Sequence, residues 1–235
     1  LIARIKLVAR IKVITHPRAR LRALSQFHEA PVPPWVPRSQ KFKAAALGAS
    51  TGGPSAIVEV LRGIEGRLPV PLFLVLHIDE PFGASFAEWL ADQAPHPVVF
   101  ARGGEAVAEL VGSVVMARPG KHLALRDGAV HLTVDPERHS CRPSVDVLFE
   151  SVAAAYGAET LACLLTGMGR DGATGLLAVK RAGGLTIAQD EATSVVYGMP
   201  REAALLGAAH RILPLAEIGP AMGGALFERK GGHWP

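Results

Sequence analysis

The sequence predicts an α/β fold: a mostly parallel, doubly wound sheet with helices on both faces and an antiparallel hairpin at one edge. Three observations carry that prediction. Short apolar runs of strand length alternate with helix-length amphipathic segments from residue 44 onward, the pattern of parallel strands joined by crossover helices. Asp127-Gly128 separates the apolar segments Leu123–Arg126 and Ala129–Val134, as a hairpin turn would. Hydrophobic residues make up 49% of the 235, enough for one substantial core without cross-links.

In chain order, Leu1–Ile14 reads as a basic amphipathic helix, with Leu1, Ile2, Ile5 and Val8 on one face and His16-Pro17 ending it. A helix this short cannot bury an apolar face alone. It is therefore read as the last helix of a preceding domain, within a chain that was once longer. Pro31 to Pro37 has linker composition, which sets a boundary near residue 40: residues 1–40 form the terminal helix and linker, and residues 41–235 the main domain.

The first strand is the uncharged run Ala44–Ala49, which breaks into Ser50-Thr51-Gly52-Gly53 before Pro54 opens a helix through Leu61. Leu72–Leu76, ending at His77, is a second buried strand, and Phe82–Gln93 has helical periodicity. Val98–Ala101 and Val114–Ala117 are short strands before the hairpin. Ser144–Tyr156 is a helix capped by Ser144, with Val145, Leu148, Phe149 and Val152 at helical spacing. Leu161–Leu165 is a strand leading into Thr166-Gly167-Met168-Gly169-Arg170-Asp171-Gly172. After it come a helix (Ala173–Ala182), a strand (Leu185–Ala188), a helix (Pro200–Leu206), a strand (Arg211–Leu213) and a last helix (Ala216–Glu228).

Charge narrows the function. Residues 1–43 hold ten Lys/Arg against one acid, Glu29, so the body carries fifteen basic and twenty acidic residues. A mildly acidic body argues against a nucleic acid partner, because a phosphate-reading face needs clustered Lys and Arg. No apolar segment approaches the ~18 residues of a membrane span, so no membrane insertion is expected. The two cysteines, Cys141 and Cys163, do not read as a disulfide framework. With no signal-peptide pattern, the expected location is cytoplasmic.

In open α/β sheets, ligands bind beyond the carboxyl ends of the strands. Ser50, His77 and Asp171 each follow such an end. Each has an ordinary reading as well: a turn former, a structural histidine and a helix cap. A serine needs a neutral imidazole to take its proton, and that imidazole needs a carboxylate on its other nitrogen. Backbone N–H groups around Thr51 and Met168 can serve an oxyanion. The chain order Ser, His, Asp differs from the Ser, Asp, His of α/β-hydrolases, so their fold does not transfer. The same Gly-rich turn also suits a phosphate cradle. The Tyr-x-x-x-Lys pair of a short-chain dehydrogenase is missing, however, since Tyr156 is followed by Thr160 and Tyr197 by Arg201. His96, between two prolines, and His122, beside Lys121, read as surface or loop residues, and no pair has metal-ligand spacing.

Leu47-Gly48-Ala49-Ser50-Thr51-Gly52-Gly53-Pro54 closely resembles the active-serine segment of CheB, the chemotaxis receptor methylesterases. Further stretches agree in order and spacing. They are His77 with Pro81-Phe82-Gly83 and Ser85-Phe86-Ala87, then Arg142–Phe149, Leu165–Ala173, Ala188–Thr193 and Tyr197–Ala203. The likeness covers about residues 44–215. It implies a catalytic domain that hydrolyses glutamate γ-methyl esters on chemoreceptor cytoplasmic domains, with possible deamidation of glutamines. Ser50 would be the nucleophile, His77 the base and then acid, Asp171 the orienting carboxylate, and Met168 an oxyanion donor, with no metal or cofactor.

The resemblance also makes residues 1–14 the end of a receiver domain, otherwise missing, through which such proteins meet the chemotaxis histidine kinase. This chain is then expected to escape regulation by phosphorylation. A homologue that only binds receptor or kinase is the alternative. One departure stands out: the family's usual Gln-His-Met-Pro is here Leu76-His77-Ile78-Asp79-Glu80-Pro81. Two acids near the histidine are expected to raise its pKa if they lie close.

Overall fold

The computed structural model describes residues 42–227; the expected N-terminal helix, the linker and the boundary near residue 40 lie outside them. The strands are β1 (Ala44–Ala49), β2 (Leu72–Leu76), β3 (Val98–Phe100), β4 (Val114–Met116), β5 (His122–Arg126), β6 (Ala129–Thr133), β7 (Thr160–Leu164), β8 (Leu185–Gln189) and β9 (Arg211–Leu213). The helices are α1 (Gly53–Gly63), α2 (Glu80–Gln93), α3 (Val145–Tyr156), α4 (Ala173–Arg181), α5 (Met199–Leu205) and α6 (Leu215–Leu226). Single 3₁₀ turns at Val107–Leu110 and Gly157–Glu159 are too short to leave a periodic signal in sequence.

Seven strands form one parallel sheet in the order β3-β4-β2-β1-β7-β8-β9. Its central strands are apolar throughout because both faces are covered. Alternate residues of β1 and β2 divide between two cores. Ala45, Leu47, Leu72, Leu74 and Leu76 join side chains of α1, α2 and α6 on one face. Ala44, Ala46, Phe73 and Val75 join α3, α4 and the hairpin on the other.

The hairpin does not extend an edge of this sheet. β5 and β6 form a separate two-stranded sheet, and β6 adds an isolated antiparallel bridge from Ala129 to Ala106. The reason is visible at β5: Leu123 and Leu125 are buried in the second core, and the Leu125 N–H donates 3.0 Å to the hydroxyl of Ser151 on α3. A helix side chain satisfies the backbone that a neighbouring strand would otherwise have engaged.

Strand order reverses between β1, whose chain moves on toward β2, and β7, whose chain moves on toward β8. That switch point opens a crevice beyond the carboxyl ends of the central strands. Beside it, β1 lies so close to α3 that a Cβ at Gly48 would collide with Val145 and press Leu164 at 3.2 Å. Gly48→Ala is therefore expected to cost about 1–3 kcal/mol, read as a lower urea midpoint at unchanged slope. An unchanged midpoint would show that α3 is free to move away.

Candidate active site

Three neighbouring strands deliver the residues singled out in the sequence. Ser50 follows β1, His77 follows β2, and Asp171 ends the turn between β7 and α4. Parallel pairing fixes the spacing, with Ala49 beside Leu76 and Gly48 beside Leu164. The backbone continues that pairing past the strands: His77 N–H donates to Ala49 C=O at 3.1 Å and Ser50 N–H to Thr166 C=O at 3.0 Å. Gly52, at φ 80°, turns the chain into α1 and leaves Ser50 half-buried at the elbow. Gly167 passes so close that a Cβ there would stand 2.8 Å from that of Ser50.

Asp171 is the anchor. Its Oδ2 lies 2.8 Å from His77 Nε2 and accepts the Val145 N–H at 2.6 Å. Its Oδ1 accepts the Ser144 hydroxyl at 2.7 Å and the Asp146 N–H at 3.1 Å. The carboxylate thus sits on the N-terminus of α3, where unpaired N–H groups and the helix dipole favour negative charge. Burial alone would raise its pKa, but the hydrogen bonds from His77, Ser144 and Val145 outweigh it and hold the carboxyl below its ordinary value.

Asp171 also fixes the imidazole. An ionised carboxylate at Nε2 requires a proton there, so in neutral His77 the lone pair is on Nδ1. The neighbour at Nδ1 is Cys141 Sγ, 3.6 Å away. The Ser50 hydroxyl makes no hydrogen bond among the described residues. Burial pulls the His77 pKa down, but the bonds to Asp171 and Cys141 and their charges prevail and raise it to about 9. Asp79 and Glu80, at the N-cap and in the first turn of α2, are not among the leading causes of that shift.

That shift predicts a pH dependence of stability. A histidine raised from 6.5 to about 9 stabilises the fold fully below pH 6.5, and the contribution disappears as pH climbs to about 9. The unfolding free energy should fall over that window by up to about 3 kcal/mol, read as a falling denaturant midpoint, and His77→Gln should flatten the fall. A parent midpoint constant from pH 6.5 to 9 would contradict it.

A second layer holds these groups. Fully buried Asp146 accepts the Gly175 N–H at 2.6 Å and meets His139 Nε2 at 3.1 Å, while Arg170 Nε donates to His139 Nδ1 at 3.2 Å. The Thr166 hydroxyl donates to Thr51 C=O at 2.9 Å, tying the turn after β1 to the turn after β7. Among the described residues, no hydrogen bond engages the backbone N–H of Thr51 or Met168, and the Met168 side chain is exposed. Beside this centre is a cleft of about 580 Å³ lined by His139, Cys141, Met168, Arg170, Asp171 and Glu202. Ser50 and His77 do not line it.

The expectation that His96 and His122 are surface or loop residues holds only in part: both are buried, His96 in the loop between α2 and β3 and His122 within β5. His122 accepts the Ser144 N–H at Nδ1 (3.1 Å) and reaches Pro136 C=O with Nε2 (3.2 Å), so both ring nitrogens are satisfied inside the protein. Sequence reasoning read Ser144 only as a helix cap. It is one, at 3.4 Å to Val147 N–H, but its proton goes to Asp171. Cys141 was not recognised as a neighbour of the site. Its only sequence signal was its place just before Arg142-Pro143-Ser144.

Two residue sets bring donor atoms within 4.8 Å of one another, His77/Cys141/Asp171 and His139/Asp146/Asp171. In the first, His77 bonds both Asp171 and Cys141; in the second, His139 bonds Asp146, whose backbone N–H holds Asp171 nearby. Among the described residues no helix is long and apolar enough to cross a membrane.

Comparison with known proteins gives the family. The family model for CheB methylesterase covers residues 45–222. A protein-glutamate methylesterase/protein-glutamine glutaminase of Anaeromyxobacter dehalogenans is 44% identical over 94% of this chain. The protein-glutamate methylesterase FrzG of Myxococcus xanthus is 42% identical over 87% of it. The chain spans 62% of the length of each of these relatives. The crystal structure of the Thermotoga maritima CheB methylesterase catalytic domain superposes with a TM-score of 0.73 at 33% identity, over 77% of this chain and 97% of that one. A matched span running from β1 into α6, with the Ser50, His77 and Asp171 turns inside it, means that the chain belongs to the CheB methylesterase family.

Proposed function

We propose that this chain hydrolyses glutamate γ-methyl esters on the cytoplasmic domains of chemoreceptors and deamidates glutamines at the same centre. The observation that carries the reading is the His77–Asp171 bond beyond the end of β2, beside the strand that presents Ser50. Ser50 Oγ attacks the ester carbonyl and its proton passes to His77 Nδ1 as the new C–O bond forms. The N–H groups of Met168 and Thr51 receive the oxyanion. Collapse breaks the bond to methoxide, which takes the proton from His77 and leaves as methanol. Water, deprotonated by the same nitrogen, then releases the glutamate carboxylate and restores Ser50. Asp171 keeps Nε2 protonated throughout and stabilises the imidazolium.

Ser50 must first come within reach of Nδ1, a tightening that catalytic hydrogen bonds commonly undergo when substrate arrives. The test is methanol release from a chemoreceptor cytoplasmic fragment carrying glutamate methyl esters. Release that follows the chain's concentration supports the reading. Folded chain that binds the fragment without releasing methanol would leave a receptor-binding protein instead.

A further inference from the structure

The resting partner of the catalytic imidazole is a sulfur. With Nε2 held by Asp171, Nδ1 is the one nitrogen free to accept a proton from Ser50, and Cys141 Sγ stands on that side at 3.6 Å. We propose that Cys141 is a positioning residue that acts through His77, holding Nδ1 away from Ser50 in the resting site and restraining hydrolysis at neutral pH. The proposal rests on the esterase reading and adds to it a residue that limits the rate.

The chain spends conformational energy to place that sulfur. Arg138 and Cys141 close a two-residue turn through mutual backbone bonds of 3.1 and 2.9 Å. The turn residues, His139 and Ser140, both adopt left-handed backbone, with φ of 52° and 60°. Neither is a glycine, and such residues persist only where their surroundings over-determine them. Here the surroundings do so. Arg138 donates to both carboxylate oxygens of Glu150 on α3, and His139 is gripped between Asp146 and Arg170. Cys141 is only half-buried and lines the open cleft, so packing alone does not require it there.

The groups acting on His77 are Asp171, from the turn after β7, and Cys141, from the connection between β6 and α3. Asp79 and Glu80, on its own connection to α2, are not among the leading causes. A base titrating at about 9 is neutral in about one molecule in a hundred at pH 7. Removing the sulfur leaves Asp171 in place and takes away one of the two supports of the charged form. It also clears the side of the ring that Ser50 must approach.

The experiment follows kcat/KM for methanol release from the methylated receptor fragment between pH 6 and 10, for the parent and Cys141→Ala. In parallel, the His77 imidazole is titrated by NMR, with His77→Gln to assign its resonance. The rising limb of the profile and the NMR midpoint should both move about one pH unit lower, and the rate at pH 7 should rise severalfold toward tenfold. A limb and midpoint that stay put, with any change confined to melting temperature or a uniform drop in rate, would mean that Cys141 only packs. If the parent releases no methanol at any pH but the midpoint still moves, the pairing stands and the esterase reading falls.

Discussion

Replacing Ser50 with alanine is expected to abolish methanol release, lowering kcat by on the order of 10⁴-fold or more. The argument starts from how little else the hydroxyl does. It makes no hydrogen bond among the described residues, and the backbone bonds of Ser50, to Thr166 C=O and from Gly53 N–H, do not involve it. Alanine therefore keeps the elbow, and thermal unfolding should change by no more than a small fraction of total stability. The loss should lie in kcat, because the carbonyl would still meet the N–H groups of Thr51 and Met168. Release within tenfold of the parent would mean that another nucleophile, Cys141 being the nearest to His77, carries the reaction.

Much of the fold was legible because its signals are local. β1, β2 and β7 are uninterrupted apolar runs, and each is followed within a few residues by the glycine or proline that ends it. Ser50 and His77 could be found for the same reason, since each is the first residue past a strand, and parallel pairing of adjacent strands brings such residues together. What stayed hidden depends on contacts between distant segments. Cys141 and His77 are 64 positions apart, and Ser144 and Asp171 are 27 apart. His122 looks like a surface residue by type, yet its two ring nitrogens find Ser144 and Pro136 inside the protein. A turn signal such as Asp127-Gly128 specifies a hairpin but not the sheet it joins. That was decided by Ser151 of α3 engaging β5.

Asp171→Asn should be nearly as damaging to activity, with kcat lower by about 10⁴-fold, and unlike Ser50→Ala it should also unfold more easily. All four neighbours of this carboxylate approach as donors: His77 Nε2, Ser144 Oγ and the N–H groups of Val145 and Asp146. An asparagine amide must aim its own N–H₂ at one pair of them. Placed toward His77, it opposes the Val145 N–H and forces the imidazole into the other tautomer, with the proton on Nδ1, where it cannot accept one from Ser50. Placed toward Ser144, which can rotate its hydroxyl, it still opposes the Asp146 N–H, and the charge that stabilises the imidazolium is gone. A buried donor left without an acceptor costs about 1–3 kcal/mol. The penalty should itself depend on pH. Asp171 is held below its ordinary pKa, so its contribution is complete above the unfolded value of about 4 and is lost as pH falls through the folded one. Denaturant midpoints of parent and variant should therefore converge in acid and separate toward neutrality. Curves that stay parallel from pH 2 to 7 would show that the asparagine disturbs packing rather than charge. An Asp171→Asn enzyme within tenfold of the parent would remove this carboxylate from the reaction and leave it only as the anchor of α3.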